Sequence, residues 1–111
     1  MRRVSCDQYE FDPPDSEQTL DLAIASSSCH YPHLASLLAK CGASSPNGSS
    51  LPVDWPRWPE VVTQLSRFAG LELPPLSQLR EAVLLQDDCG EVEIAVAFGT
   101  TFVWYHWSTS A

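Results

Sequence analysis

Cysteine and histidine are the residue types here best suited to hold a metal, and Cys29, His30, His33 and Cys41 lie within thirteen positions of one another. The spacing works against a shared ion. Cys29 precedes Pro32 and so falls outside the helix that holds His33, while Cys41 sits about 12 Å further along that helix at 1.5 Å per residue. Cys6 or Cys89 would have to complete any such site, and no CxxC pair marks one. The competing reading makes Cys41 a small buried apolar residue beside Leu34, Leu37 and Leu38, with the histidines partly solvated. No metal or other cofactor is expected, and Cys29, His30, His33 and Cys41 stand as the weaker alternative.

Nucleophilic catalysis needs a Ser or Cys, a base and an orienting carboxylate within hydrogen-bond reach. The types are present but no motif joins them: there is no GxSxG elbow, no HExxH and no GxxxxGK[ST] loop. His106, between Tyr105 and Trp107, is the best candidate base, against the simpler reading of a sheet histidine with its tip in water.

Charge is the stronger signal. Fourteen acids against six Lys and Arg give a formal net charge of −8, which repels nucleic-acid phosphates and excludes a general nucleic-acid binder. Asp7, Glu10, Asp12, Asp15, Glu17 and Asp21 form one acidic group near the N-terminus, and Asp87, Asp88, Glu91 and Glu93 form a second beside an expected turn. Such groups either keep a solvated surface soluble or steer a basic partner toward it. Aromatic residues add a second signal. In Phe102-Val103-Trp104-Tyr105-His106-Trp107, rings fall on both faces of one strand, so one set must look away from the main core. Either Trp55 and Trp58 of the long loop cover that set, or Tyr105 and Trp107 join them in a partner surface.

The elements that carry these residues follow from periodicity. A chain of 111 residues with 44% apolar composition fits one domain over residues 1–111 with its own core. Residues 1–14 read as a mobile arm, or as an edge strand over Val4 to Phe11, ended by Pro13-Pro14. Leu20, Ala23 and Ile24 recur at helical spacing after Asp15 or Ser16 and predict a short helix. Pro32 to Cys41, stopped by Gly42, predicts a second, and Pro59 to Ala69, stopped by Gly70, a third. Between them residues 43–58 read as a long Ser/Pro-rich loop. From Leu79 the period changes to two, predicting strands Val83 to Asp87, Glu91 to Phe98 and Phe102 to Trp107, with residues 77–85 ambiguous between helix and strand. Val92, Ile94, Val96 and Phe98 should meet a helix layer, whereas the face of Glu91, Glu93, Ala95 and Ala97 is thinner and more polar. The expected fold is therefore α+β: two or three short N-terminal helices on a C-terminal three-stranded antiparallel meander, with an added N-terminal edge strand as an option.

Apolar runs such as Ile94 to Phe98 are far shorter than the roughly 20 residues that cross a bilayer, and the four cysteines are expected as reduced thiols in the cytoplasm. The leading functional expectation is a small, acidic, non-enzymatic protein that masks a basic protein partner, as immunity proteins, antitoxins and phage-encoded inhibitors do as classes. Its contact set would be Asp87, Asp88, Glu91, Glu93, Trp55, Trp58, Tyr105 and Trp107. The alternatives are a small metal- or ligand-binding enzyme or sensor built on the Cys/His cluster, and an assembly factor or self-associating subunit that pairs through a sheet edge.

Overall fold

The computed structural model describes residues 1–6, 18–43 and 48–109. In chain order the elements are β1 (Arg2–Cys6), β2 (Gln18–Ser26), α1 (Leu34–Cys41), β3 (Ser49–Ser50), α2 (Trp58–Ala69), β4 (Glu81–Asp87), β5 (Glu91–Phe98) and β6 (Thr101–Thr109), with a 3-10 turn at Leu76–Gln78 before β4. The strands form one antiparallel six-stranded sheet in the order β1-β2-β6-β5-β4-β3. This overturns the expected three-stranded meander beneath several N-terminal helices. The described residues hold two α-helices, and the sheet is twice as wide as foreseen.

The error lies at residues 18–26. Leu20, Ala23 and Ile24 do satisfy helical spacing, but Leu22 and Ala25 are apolar as well, and such a continuous run also suits a strand buried on both faces. β2 is that strand. It pairs with β6 from Gln18↔Thr109 to Ser26↔Thr101, burying Leu20 and Leu22 on one face and Ala23 and Ala25 on the other. On its outer side β2 pairs with β1, so residues 2–6 form an edge strand, while the remainder of the predicted strand and arm, residues 7–14, lies outside the described residues.

Each face of the sheet has its own helix. α2 presents Val61, Leu65 and Ala69 to Leu20, Leu22, Val92, Ile94, Val96, Val103 and Tyr105, joined by Leu51 and Trp55 from the loop ahead of it. α1 presents Leu34, Leu37 and Leu38 to Ala23, Ala25, Ala95, Ala97, Phe102 and Trp104. The Ala95 and Ala97 face is therefore buried under α1, and its small residues have a steric purpose. The register places Trp104 between Ala23 and Ala95 and Phe102 between Ala25 and Ala97, so each large ring on β6 has a methyl group on both neighbouring strands. Small residues beside large ones let α1 approach the sheet closely.

The helix stops hold as read, since Gly42 and Gly70 both adopt the left-handed conformation that ends a helix. α1 begins at Leu34, two residues after Pro32, because His33 is extended. Residues 77–85 resolve into the 3-10 turn followed by strand, and the long loop contributes the two-residue β3 at the sheet edge. Gly99 takes the positive φ that the two-residue β5–β6 connection requires.

The alternation of small and large residues predicts that Ala95→Leu, at a fully buried position beside Trp104, lowers stability by about 1–3 kcal/mol through overpacking. Ala39→Leu on the exposed side of α1 should change it by no more than about 0.5 kcal/mol. Urea denaturation of both variants checks the contrast.

Candidate functional site

The antiparallel register brings the end of β1, the start of β2, the end of β4, the start of β5 and the end of β6 to one end of the sheet. Asp21, Asp87, Asp88, Glu91 and Glu93 all belong to that end. Residues 7–17, which carry Asp7, Glu10, Asp12, Asp15 and Glu17, connect Cys6 to Gln18 and so leave and rejoin the fold at the same end. Arg2 and Arg80 sit toward the opposite end, where Arg80 donates its backbone N–H to Ala97, and Lys40 borders a shallow depression there with Met1 and Tyr31. Asp21 and the acids of the β4–β5 hairpin are far apart in sequence and meet through topology.

A β-bulge divides the second group between the two faces. Pairing along β4–β5 shifts between Leu84 and Gln86, so that Gln86 faces Glu93 and Asp87 faces Val92. Without the extra residue Asp87 would fall opposite Glu91, on the α1 side; the bulge turns it to the α2 side instead. There Asp87 accepts from the Trp55 indole N–H at 3.0 Å and pairs with Arg57 at 3.3 Å. The Arg57 guanidinium also lies 5.9 Å from the Trp107 ring, whose N–H donates to Gln18 at 2.9 Å. Asp88, at the hairpin tip, accepts from the Gln86 side chain at 2.8 Å and from the Gly90 backbone N–H at 2.9 Å. These hydrogen bonds, the Gln86 one foremost, hold its carboxyl below the usual range and keep it ionised.

On the α1 side Glu91, Glu93 and His106 converge. Glu91 and Glu93 are two apart on β5 and share a face, and His106 on β6 is directly opposite Glu93. One potential ligand atom from each of the three lies within 4.8 Å of the others. His106 Nε2 is 3.1 Å from a Glu91 oxygen, and Glu93, only 1% exposed, accepts the Trp104 indole N–H at 2.7 Å. The His106 and Trp104 rings are 5.7 Å apart, and Arg3 reaches across Ala23 to lie 5.3 Å from the Trp104 ring. Asp21 follows His106 in the same row and accepts from the Ser5 hydroxyl at 2.7 Å. The arrangement joins two carboxylates and an imidazole over a buried indole.

The rings expected at a partner surface are packed inward. Trp55 is 5% exposed and Tyr105 2%, while Trp58 and Trp107 are half-buried against the same cluster around α2. Between the two alternatives for the aromatic tail, the loop-covered one describes the α2 face, and α1 covers Phe102 and Trp104 on the other. Asp87 and Asp88 are exposed at the hairpin and Glu91 is half-exposed, but Glu93 is buried. The Cys/His set is not brought together. Cys29 and His30 are exposed in a turn, His33 is exposed ahead of α1, and Cys41 lies half-buried at its end, where desolvation raises the thiol pKa. Sequence reasoning missed the Glu91–Glu93–His106 convergence, although a signal existed: a two-residue turn at Gly99-Thr100 fixes the register and sets residue 106 across from 93.

Comparison with protein-family models, with curated proteins and with solved structures finds no match.

On the α2 face the Tyr105 hydroxyl donates to the side-chain oxygen of Gln64. Burial, with Glu60 adding to it, raises the phenol pKa above its ordinary value near 10. Tyr105→Phe should therefore cost about 1 kcal/mol at pH 7, from the lost hydrogen bond. Above about pH 10 the unfolded phenol ionises before the folded one, so the parent chain loses stability as pH rises, by up to about 1.4 kcal/mol per unit. The variant lacks this term, so the gap should close between pH 7 and pH 11 in urea denaturation; a constant gap would contradict the assignment.

Proposed function

We propose that this chain is a non-enzymatic protein-binding module whose acidic end docks on a basic surface of another protein and masks it. This is the mode of action of immunity proteins, antitoxins and phage-encoded inhibitors as classes. One observation carries the reading: the topology gathers Asp21, Asp87, Asp88 and Glu91, with the buried Glu93 behind them, at one end of the sheet. A concentration of one sign of charge accelerates encounter with an oppositely charged surface and orients it.

The reading differs from the sequence expectation in its contact set. Trp55 and Tyr105 stay within the fold, and Asp87 is shared with Trp55 and Arg57, so Asp88 at the rigid hairpin tip is the best presented of the acids named from sequence. Support for pairing through an edge is weaker. β1 carries Arg2 and Arg3, both exposed, and β3 has two residues, which are devices that discourage strand addition.

The test uses the full chain as bait in lysate of its source cells, followed by binding kinetics with the purified captured protein. Asp88→Lys combined with Glu10→Lys should slow association about tenfold at low salt and flatten its salt dependence, while changing dissociation little. Association that is insensitive to both salt and these substitutions would defeat the reading.

A further inference from the structure

We propose that Glu91, Glu93 and His106 form a binding site for one divalent first-row metal ion. The inference is independent of the docking reading, since it concerns an ion and needs no partner.

Three observations combine. The donor set is mixed: two carboxylates and an imidazole suit ions such as Mn²⁺, Fe²⁺ and Zn²⁺, and three protein ligands leave coordination positions for water. The ligand atoms lie within 4.8 Å of one another, so closing on one ion through bonds of about 2.0–2.2 Å, which set neighbouring ligands roughly 3 Å apart, takes side-chain shifts of about 1–2 Å. All three are delivered by neighbouring strands in a fixed register, and a site built on strands is held more precisely than one built on loops.

The surroundings also match what a metal site needs. Glu93 is 1% exposed and is oriented by the Trp104 N–H at 2.7 Å, the kind of outer hydrogen bond that fixes a ligating carboxylate. Glu91 and His106 are half-buried, so part of the site faces solvent. Two like charges on one face of a strand repel, and a divalent cation between them converts that repulsion into attraction. His106 Nε2 already lies 3.1 Å from a Glu91 oxygen. Binding metal would exchange that contact for two bonds to the ion.

The probe is Mn²⁺ alone, because thiolates select softer ions and the free Cys29, Cys41 and Cys89 would complicate zinc. Chelator-treated full-length protein with alkylated thiols is titrated with Mn²⁺, and free metal is read by electron paramagnetic resonance. One saturable equivalent per chain is expected. Glu91→Gln and His106→Gln, at half-exposed positions that leave the core intact, should each weaken binding at least about tenfold. Trp104→Phe keeps all three ligands but removes the indole donor, and should weaken binding by roughly ten- to a hundredfold. Circular dichroism confirms that each variant is folded. Failure to bind one saturable equivalent overturns the proposal, as does binding that Glu91→Gln and His106→Gln leave unchanged.

Discussion

Strand β6 carries rings on both faces, so neither face of the sheet can be left to water. Val103, Tyr105 and Trp107 point to the α2 side, and Phe102 and Trp104 to the α1 side. Burying an aromatic side chain removes 150–250 Å² from solvent, roughly, and contributes more than most single contacts in a domain of this size. Two helices follow from that constraint, one for each face. So does the choice of residues on the neighbouring strands: Ala23, Ala25, Ala95 and Ala97 flank Phe102 and Trp104, while Leu20, Leu22, Val92 and Ile94 fill the other face around Tyr105. Tyr105 and Trp104 each carry a polar atom inward. Gln64 accepts from the first and Glu93 from the second, so the rings place two polar side chains as well as the apolar core.

The bulge in β4 decides how the acids are used. A strand that kept strict alternation would bring Asp87 to the face of Glu91, Glu93 and Asp21 and concentrate four carboxylates there. Turning Asp87 to the other face gives it Arg57 and Trp55, and ties the loop ahead of α2 to the hairpin. Glu91 and Glu93 then remain on that face with His106, and Asp21 beyond it, a smaller electrostatic load than one that included Asp87. The same residue that irregularly lengthens β4 thus separates a structural carboxylate from a potentially functional pair.

How far the fold was legible follows from the same particulars. α1 and α2 were readable from an apolar stripe and a glycine stop, and β5 and β6, though buried on both faces, from β-branched and aromatic residues on either side of the Gly99 turn. β2 was not. A strand buried on both faces has no alternation to detect, and short apolar runs fit helix and strand alike. The edge strand β1 and the two-residue β3 are held by pairing with neighbours, and local sequence carries little trace of that. At the site the residue types were visible but their direction was not. Glu91 and Glu93 were correctly placed at a turn, yet the steric logic that buries Glu93 depends on Trp104, and that of Asp87 on a bulge. The Cys29–Cys41 group drew attention by residue type alone, and helical rise was enough to argue against its convergence.

Charge acquires direction in this chain only through topology. Residues 7–17 and 87–93 are far apart in the sequence, and a run of acids in either stretch would by itself call for no partner. Pairing β1 with β2, β2 with β6 and β6 with β5 in alternating directions puts the end of β1, the start of β2 and the β4–β5 hairpin at one end, and sends the β5–β6 turn and the start of α1 to the other. Repulsion within that end opposes folding, and it falls on strands whose centres are the best-packed part of the molecule. The rings of β6 therefore do more than close the core: their packing holds like charges together against their mutual repulsion, at an end whose field a basic surface or a small cation would relieve.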